Sequence, residues 1–256
     1  HKRHHERRSP SRFGALRLAE TPPDNHGAVF LKLLAAFSIY LPNTLILRGW
    51  APDTQVREPV GLSGGRLASA VRELMDDKQA SSRLLDELHA TVAWFAGFGI
   101  FERGEKEEMK RGLVFIDKFF RQDGGRHYFL SEGDVNEGVL YLLFIAVLSL
   151  HQAAPTLLAI DNADHGLNPL LVKQAVQRMC DWILQADKPR QLLMTTHNPL
   201  ALDGLPLQND QVRLFTVDRD NQGRTQIRRF VVTNTHREMA EKGWTLSRMW
   251  VNGLIG

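Results

Sequence analysis

An α/β fold is predicted, a mainly parallel sheet flanked by helices with a helical insert, and three observations predict it. Leu157 to Ile160 is an apolar run of buried-strand length that stops abruptly at Asp161. Gln191 to Met194 is a second apolar strand, ending in Thr195, Thr196 and His197. Val139 to Leu150 is a long apolar run, far short of the roughly 20 residues that span a bilayer, and therefore reads as a buried helix.

The remaining elements are taken in chain order. His1 to Arg12 collects Lys2, Arg3, Arg7, Arg8 and Arg12 with three histidines. Such an arm can track a phosphate backbone through counterion release, but the stronger reading is a solvated flank. His1, His4 and His5 have no further candidate ligand at zinc spacing, so no metal is assigned to them. Thr21 to Asp24 is a turn, and Ala28 to Tyr40 is helical in composition and too apolar to face water all round. The stretch around Ser63, Gly64 and Gly65 starts a helix, Arg66 to Met75. Ser81 to Trp94 continues helical, with Leu84, Leu85, Leu88 and Val92 on one face. Glu102 to Arg111 is a charge-rich, solvated turn or helix end, and Gly112 to Phe120 reads as a strand.

Beyond the long apolar helix, Pro169 belongs in the first turn of a helix, where its missing N–H costs nothing. That helix carries Val172, Ala175, Val176, Met179 and Ile183 on its apolar face, with Cys180 as a small core residue. VRLFTVDRD, NQG and RTQIRRFVV form a hairpin with a second basic cluster, Arg224, Arg228 and Arg229. Asp218 and Asp220 beside its turn are not taken as a second metal site. The organisation expected is a basic arm and ill-defined helical segment over 1–59, a helical insert or lever over 60–128, and a C-terminal lobe over 129–256.

Composition bounds the class. At 256 residues, 43% hydrophobic and 24% charged, the chain reads as a globular protein able to bury a full core. A single cysteine excludes an internal disulfide and suits a reducing cytoplasm. No membrane span and no secretory signal are expected, the N-terminus being polar and basic.

The chemistry concentrates at the strand tips. A carboxylate at the end of a strand otherwise closed to water costs energy unless it meets a cation. In an open parallel sheet that partner is a magnesium ion carrying nucleotide phosphates in the crevice beyond the strand ends. A capped strand end without ligand is the duller alternative for Asp161, and a hydrogen-bonded loop histidine is the duller alternative for His197. A third element favours phosphate chemistry. Leu130, Ser131, Glu132, Gly133 and Asp134 precede the long helix, which places Ser131 and the backbone at Gly133 at a helix N-terminus, with free N–H groups facing an anion.

LSEGD, AIDNADHGLNP and TTHNP, in this order, resemble the signature motif, the Walker B and D-loop, and the switch-histidine loop of the ABC-type ATPases. The closer likeness is to the soluble branch that includes the structural-maintenance-of-chromosomes and overcoming-lysogenisation-defect proteins and the ATPases of bacterial phage-defence operons. The tail TLSRMWVNGLIG is similar to the way many of them end. The resemblance runs from about Phe129 to the C-terminus, is weak from Val60 to Phe129, and is absent earlier. It implies a P-loop NTPase-like fold with ATP and Mg2+ as cofactors. Asp161 would hold the metal, and His197 would contact the γ-phosphate. Ser131, Glu132, Gly133 and Asp134 would serve a nucleotide carried by a second copy, and Asn168, with Gly166, Leu167 and Pro169, would line the dimer interface. GLSGGRLASAV also resembles a signature motif, but Ser131 is preferred because the Walker B strand follows it after one helix.

Two departures matter. No G-x-x-x-x-G-K-[ST] occurs in the 256 residues, so the loop that would wrap the β- and γ-phosphates is expected in a segment ahead of His1, with a degenerate ATPase as the alternative. Asn162 stands where the family carries its catalytic glutamate. A neutral amide accepts no proton from water, and loss of a positioned base costs about 10²- to 10⁴-fold. Asp164 can substitute only if the turn aims it at the γ-phosphate. The expected function is an ATP-binding, weakly hydrolysing subunit that dimerises or forms a higher oligomer around nucleotide and regulates a partner effector or nuclease in anti-phage defence. The alternatives are a DNA-repair or chromosome-maintenance ATPase that binds nucleic acid directly, and an inactive scaffold.

Overall fold

A computed structural model describes residues 26–103, 110–121 and 127–255. The basic arm, the turn at Thr21 to Asp24 and most of the charge-rich turn after Glu102 lie outside the described residues. Helix α1 (His26–Ala36) leads into β1 (Ser38–Tyr40) and the short α2 (Thr44–Leu47). Helices α3 (Leu67–Met75) and α4 (Lys78–Thr91) precede three antiparallel strands, β2 (Phe95–Arg103), β3 (Lys110–Arg121) and β4 (His127–Ser131). Then come α5 (Glu137–Leu150), β5 (Leu157–Ile160), α6 (Pro169–Leu184) and β6 (Gln191–Met194). A 3₁₀ helix (Pro199–Gly204), the hairpin β7 (Leu214–Arg219) and β8 (Thr225–Phe230), and helices α7 (Asn234–Glu241) and α8 (Leu246–Val251) complete the described chain.

The parallel sheet has the order β1-β5-β6, with Tyr40 opposite Ile160 and Ile160 opposite Met194. All three strands therefore end at one level, and the loops that leave them share one rim. One sheet face is closed. Ser38, Tyr40, Leu158 and Ile160 are buried on it, in the same core as α5, which is enclosed from Gly138 to Ser149. An all-round apolar helix has no other place in a folded chain. The opposite face is half open, with Ile39 55% and Leu193 49% exposed, which is unusual because parallel sheets are ordinarily covered on both faces.

One expectation is corrected. Ala28 to Tyr40 is not one helix: the helix stops at Ala36 and Ser38 to Tyr40 pair with β5. A strand of 3 residues shows no period of its own, and its pairing decides it. Over 60–128 the helices give way at Phe95 to an antiparallel sheet in which Phe98 faces Phe115 and Ile116 faces Phe129. Phe95 and Phe115 point into the core, while Phe119 and Phe120 remain exposed.

Candidate functional site

The level strand ends bring Asp161 and Thr195 together. Asp161 N–H donates to Tyr40 O at 3.0 Å and Thr195 N–H to Ile160 O at 3.1 Å, so both positions are set directly by the parallel register. The Thr195 hydroxyl donates to Asp161 Oδ1 and accepts from Asn162 N–H at 2.9 Å. Ala163 N–H donates to Thr195 O at 2.9 Å, which locks the turn after β5 onto the end of β6. Asn162 holds a left-handed backbone with φ 51°, a conformation that asparagine tolerates better than most side chains. Asp164 turns one carboxylate oxygen, Oδ1, into an enclosed position where no group among the described residues hydrogen bonds to it. His197 is exposed two residues beyond Thr195. Thr196 Oγ1 accepts from Asn198 N–H at 3.0 Å, and Asn198 caps the 3₁₀ helix through Leu200 N–H at 3.0 Å.

The loop continues through Gly166 (φ 71°), where a Cβ would come within 3.0 Å of the Tyr141 ring and 3.1 Å of Glu137. It ends at Asn168, whose side chain accepts from Leu171 N–H at 3.0 Å and caps α6, with Pro169 opening the helix. Asn168 is thus a helix cap, and its amide oxygen is committed within this chain.

Glu137 in the first turn of α5 takes a role that sequence alone does not disclose. It accepts from the Thr44 hydroxyl and lies 3.9 Å from His165 Nε2, so one carboxylate links the start of α2, α5 and the loop after β5. Thr195 likewise reads from sequence only as a strand end. Its position one residue past Met194, matching Asp161 past Ile160, is the signal that could have found it.

Ser131 lies elsewhere than expected. It is the last residue of β4, and α5 begins only at Glu137 with Asn136 as its cap, so Ser131 and Gly133 form a tight turn ahead of the helix rather than its N-terminus. Asn136 wins the capping position because its amide oxygen reaches Gly138 N–H at 2.8 Å. Within the turn, Ser131 donates from its hydroxyl to Asp134 Oδ2 at 2.6 Å and from its N–H to the same oxygen at 3.0 Å. Gly133 N–H donates to Ser131 Oγ at 3.2 Å. The Ser131 hydroxyl and then its amide hold the Asp134 carboxyl below the usual carboxylate range. Arg48 clamps the turn by donating to Gly133 O and, at 2.9 Å, to Val135 O, with its guanidinium 5.1 Å from the exposed Trp50 ring. Glu132 faces β3, its carboxylate accepting from Leu113 N–H.

The competing LSGG at Leu62 to Gly65 has its amides taken. Asp53 Oδ2 accepts from Ser63 N–H at 3.2 Å and Gly65 N–H at 3.1 Å. A Cβ at Gly64 or Gly65 would come within 2.3 Å of Leu47 or Asp53. These glycines serve close packing of a loop that already holds its own anion.

Carboxylate and hydroxyl oxygens at Asp161 and Thr195 suit a hard cation such as Mg2+, which is usually bound by one or two carboxylates plus phosphates and water rather than by a protein cage. In keeping with that, no group of 3 or more acidic, His or Cys ligands gathers among the described residues. Cavities of about 190 and 460 Å³ are formed by other parts of the chain and not by these residues.

Residues 18–203 match the family described as "AAA domain, putative AbiEii toxin, Type IV TA system". The chain belongs to that family. Its P-loop ATPase fold agrees with the parallel sheet and flanking helices. This AAA domain is also similar, distantly, to two solved structures. One is described as "Structural biochemistry of ATP-driven dimerization and DNA stimulated activation of SMC ATPases", at 15% identity and TM-score 0.41, covering 68% of this chain and 98% of that one. The other is the Smc head domain with an extended coiled coil bound to the C-terminal domain of ScpA from Pyrococcus furiosus, at 13% identity and TM-score 0.40, covering 68% of this chain and 40% of that one. The family assignment rests on the first match alone. No curated protein matches the chain. No helix among the described residues is long and apolar enough to cross a membrane.

Proposed function

We propose that this AAA domain binds ATP with Mg2+ at the rim formed by Asp161, Thr195 and His197, and uses the nucleotide as a clamp between two copies rather than as a rapidly consumed fuel. The observation that carries the reading is the hydrogen bond from Thr195 to Asp161 across the ends of two adjacent parallel strands. It orients the carboxylate and leaves its second oxygen for a cation. When bound, the metal would neutralise phosphate charge. Asp161 would hold it, Thr195 would fix the carboxylate's rotamer, and His197 would donate to the γ-phosphate. Asn162 offers no proton acceptor, so turnover is slow. Ser131 and Gly133 would meet the γ-phosphate of the other copy.

A phosphate-wrapping loop is not among the 256 residues, so a complete site needs one from another segment. The outer edge of β6, unpaired among the described residues, and the half-open sheet face beside it offer a place for such a segment to pair. In the cell the clamp would regulate a partner effector or nuclease in defence against phage, a role in keeping with a family whose description names a toxin system.

Calorimetric titration of the intact polypeptide with ATP and Mg2+ tests the reading. Asp161→Ala should abolish the magnesium-dependent part of the binding, and His197→Ala should weaken ATP more than ADP. Equal affinity of Asp161→Ala and the native protein for Mg·ATP would refute it.

A further inference from the structure

The hairpin carries more positive charge than its own carboxylates neutralise, and the surplus is gathered in one place. Arg224 pairs with Asp220 and Arg228 with Asp218, each at 2.9 Å. Arg229 has no such partner among the described residues. It lines a cavity of about 190 Å³ together with Arg213, ahead of β7, and Arg237 on α7. No carboxylate lies within ion-pair distance of these three among the described residues, and Arg237 makes only a 3.4 Å contact with Asn234 Oδ1. Asp210 also lines the cavity, so three guanidinium groups stand against one carboxylate. Its volume of about 190 Å³ is well above the ~10–15 Å³ of such space that one water needs, which leaves room for a phosphate group.

The neighbouring surface extends the pattern. Phe215 lies directly across from Arg229, Val217 from Ile227 and Arg219 from Thr225, so these six share one hairpin face. Phe215 is 50% exposed on that face. The order is then a cationic cavity, an exposed aromatic ring and, further along the same face, Arg219, a fourth arginine without an ion-pair partner among the described residues. A ligand with charges at intervals and flat groups between them fits this order. An acidic peptide satisfies the arginines and leaves the ring without a partner. A duplex hides its bases from the ring.

We infer that the Arg213, Arg229 and Arg237 cavity, with the Phe215 face beside it, is a binding site for the phosphate backbone of single-stranded nucleic acid. The arginines take the phosphates bidentately and Phe215 stacks a base, which makes the site tolerant of sequence and sensitive to salt.

The test is fluorescence anisotropy of a labelled oligothymidylate of roughly 16 nucleotides, titrated with the intact protein in the absence of ATP, between about 50 and 200 mM salt. The double change Arg213→Ala with Arg229→Ala should weaken binding by about tenfold or more and flatten the log–log salt slope by about 1.4, two phosphate contacts at ~0.7 each. Arg224→Ala, which removes the same kind of charge from the ion-paired turn, should leave binding within about twofold. Phe215→Ala should weaken the single strand and leave the salt slope unchanged, and Arg229→Lys should keep the salt slope that Arg229→Ala loses while recovering only part of the affinity. An equal loss in Arg224→Ala and the double variant would overturn the site. So would a duplex of the same length, or polyglutamate, binding as tightly as the single strand, or no binding by the native protein at the lowest salt.

Discussion

At the scale of single residues, Asn162 combines two pressures that pull the same way. Its left-handed backbone, φ 51°, favours Asn over Glu, whose Cβ and longer chain gain nothing locally there. The same position is where the family resemblance expects a general base. Asn162→Glu should therefore raise ATP turnover by roughly 10²-fold or more while lowering unfolding stability by ~1–2 kcal/mol. A coupled phosphate-release assay and a urea melt check the two halves separately. Unchanged turnover in that variant, with native turnover lost in Asp164→Ala, would instead put the base on Asp164. Its enclosed oxygen, lacking a partner among the described residues, would then have a function. The place of Asp161 at a strand tip was legible because it ends an apolar run abruptly. Glu137 and Thr195 were not, since a glutamate in a helix's first turn and a threonine after a strand are ordinary until the fold brings them to their partners.

At the scale of elements, α5 is finished by a residue from far along the chain. Arg190 donates to Ser149 O and His151 O, each at 2.7 Å, satisfying carbonyls that a helix end leaves open. Partial burial holds the guanidinium's pKa below its usual value. Arg190→Ala should cost about 3 kcal/mol in a urea melt, the size of two charge-assisted bonds lost to partly buried carbonyls. His151, just past the helix, accepts from Ala153 N–H at 3.1 Å through Nδ1 and lies 3.3 Å from Glu73 through Nε2. Burial pulls its pKa below 6.5, with Glu73 opposing and not prevailing. The unfolded chain thus takes up its proton near pH 6.5 while the folded one takes it up only at lower pH. Stability contributed by neutral His151 is complete above that value and is lost as pH falls below it. The urea midpoint should fall on acidification through this window in the native protein and stay flatter in His151→Gln. Long elements such as α5 and α6 were readable from their apolar patterns, with Pro169 in the first turn of α6, whereas the capping role of Asn168 was not. β1 was not, because three residues carry no period and its identity lies in pairing with β5. The turn at Ser131 was displaced from its expected helix end because Asn136 caps α5 first.

At the scale of the whole molecule, a nucleotide clamp requires the signature turn to receive a phosphate, and in the single chain that turn is already satisfied from within. Asp134 takes both the hydroxyl and the amide of Ser131 on one oxygen, which places a negative charge beside the surface where a second copy would present its triphosphate. In the proposed clamp, association would have to overcome this repulsion, which weakens the nucleotide-bound dimer and favours its release. Asp134→Asn keeps the acceptor that shapes the turn and removes the charge. It should tighten ATP-dependent dimerisation several-fold in light-scattering or sedimentation experiments on the intact polypeptide, with no effect in ADP. Ser131→Arg, which fills the turn with a side chain far larger than the hydroxyl, should leave the protein monomeric at all nucleotide concentrations while ATP binding to each copy persists. If Asp134→Asn dimerises no better than the native protein while Ser131→Arg still blocks association, the turn is an interface element without phosphate contact. If neither change moves the monomer–dimer balance, the clamp is formed by some other surface.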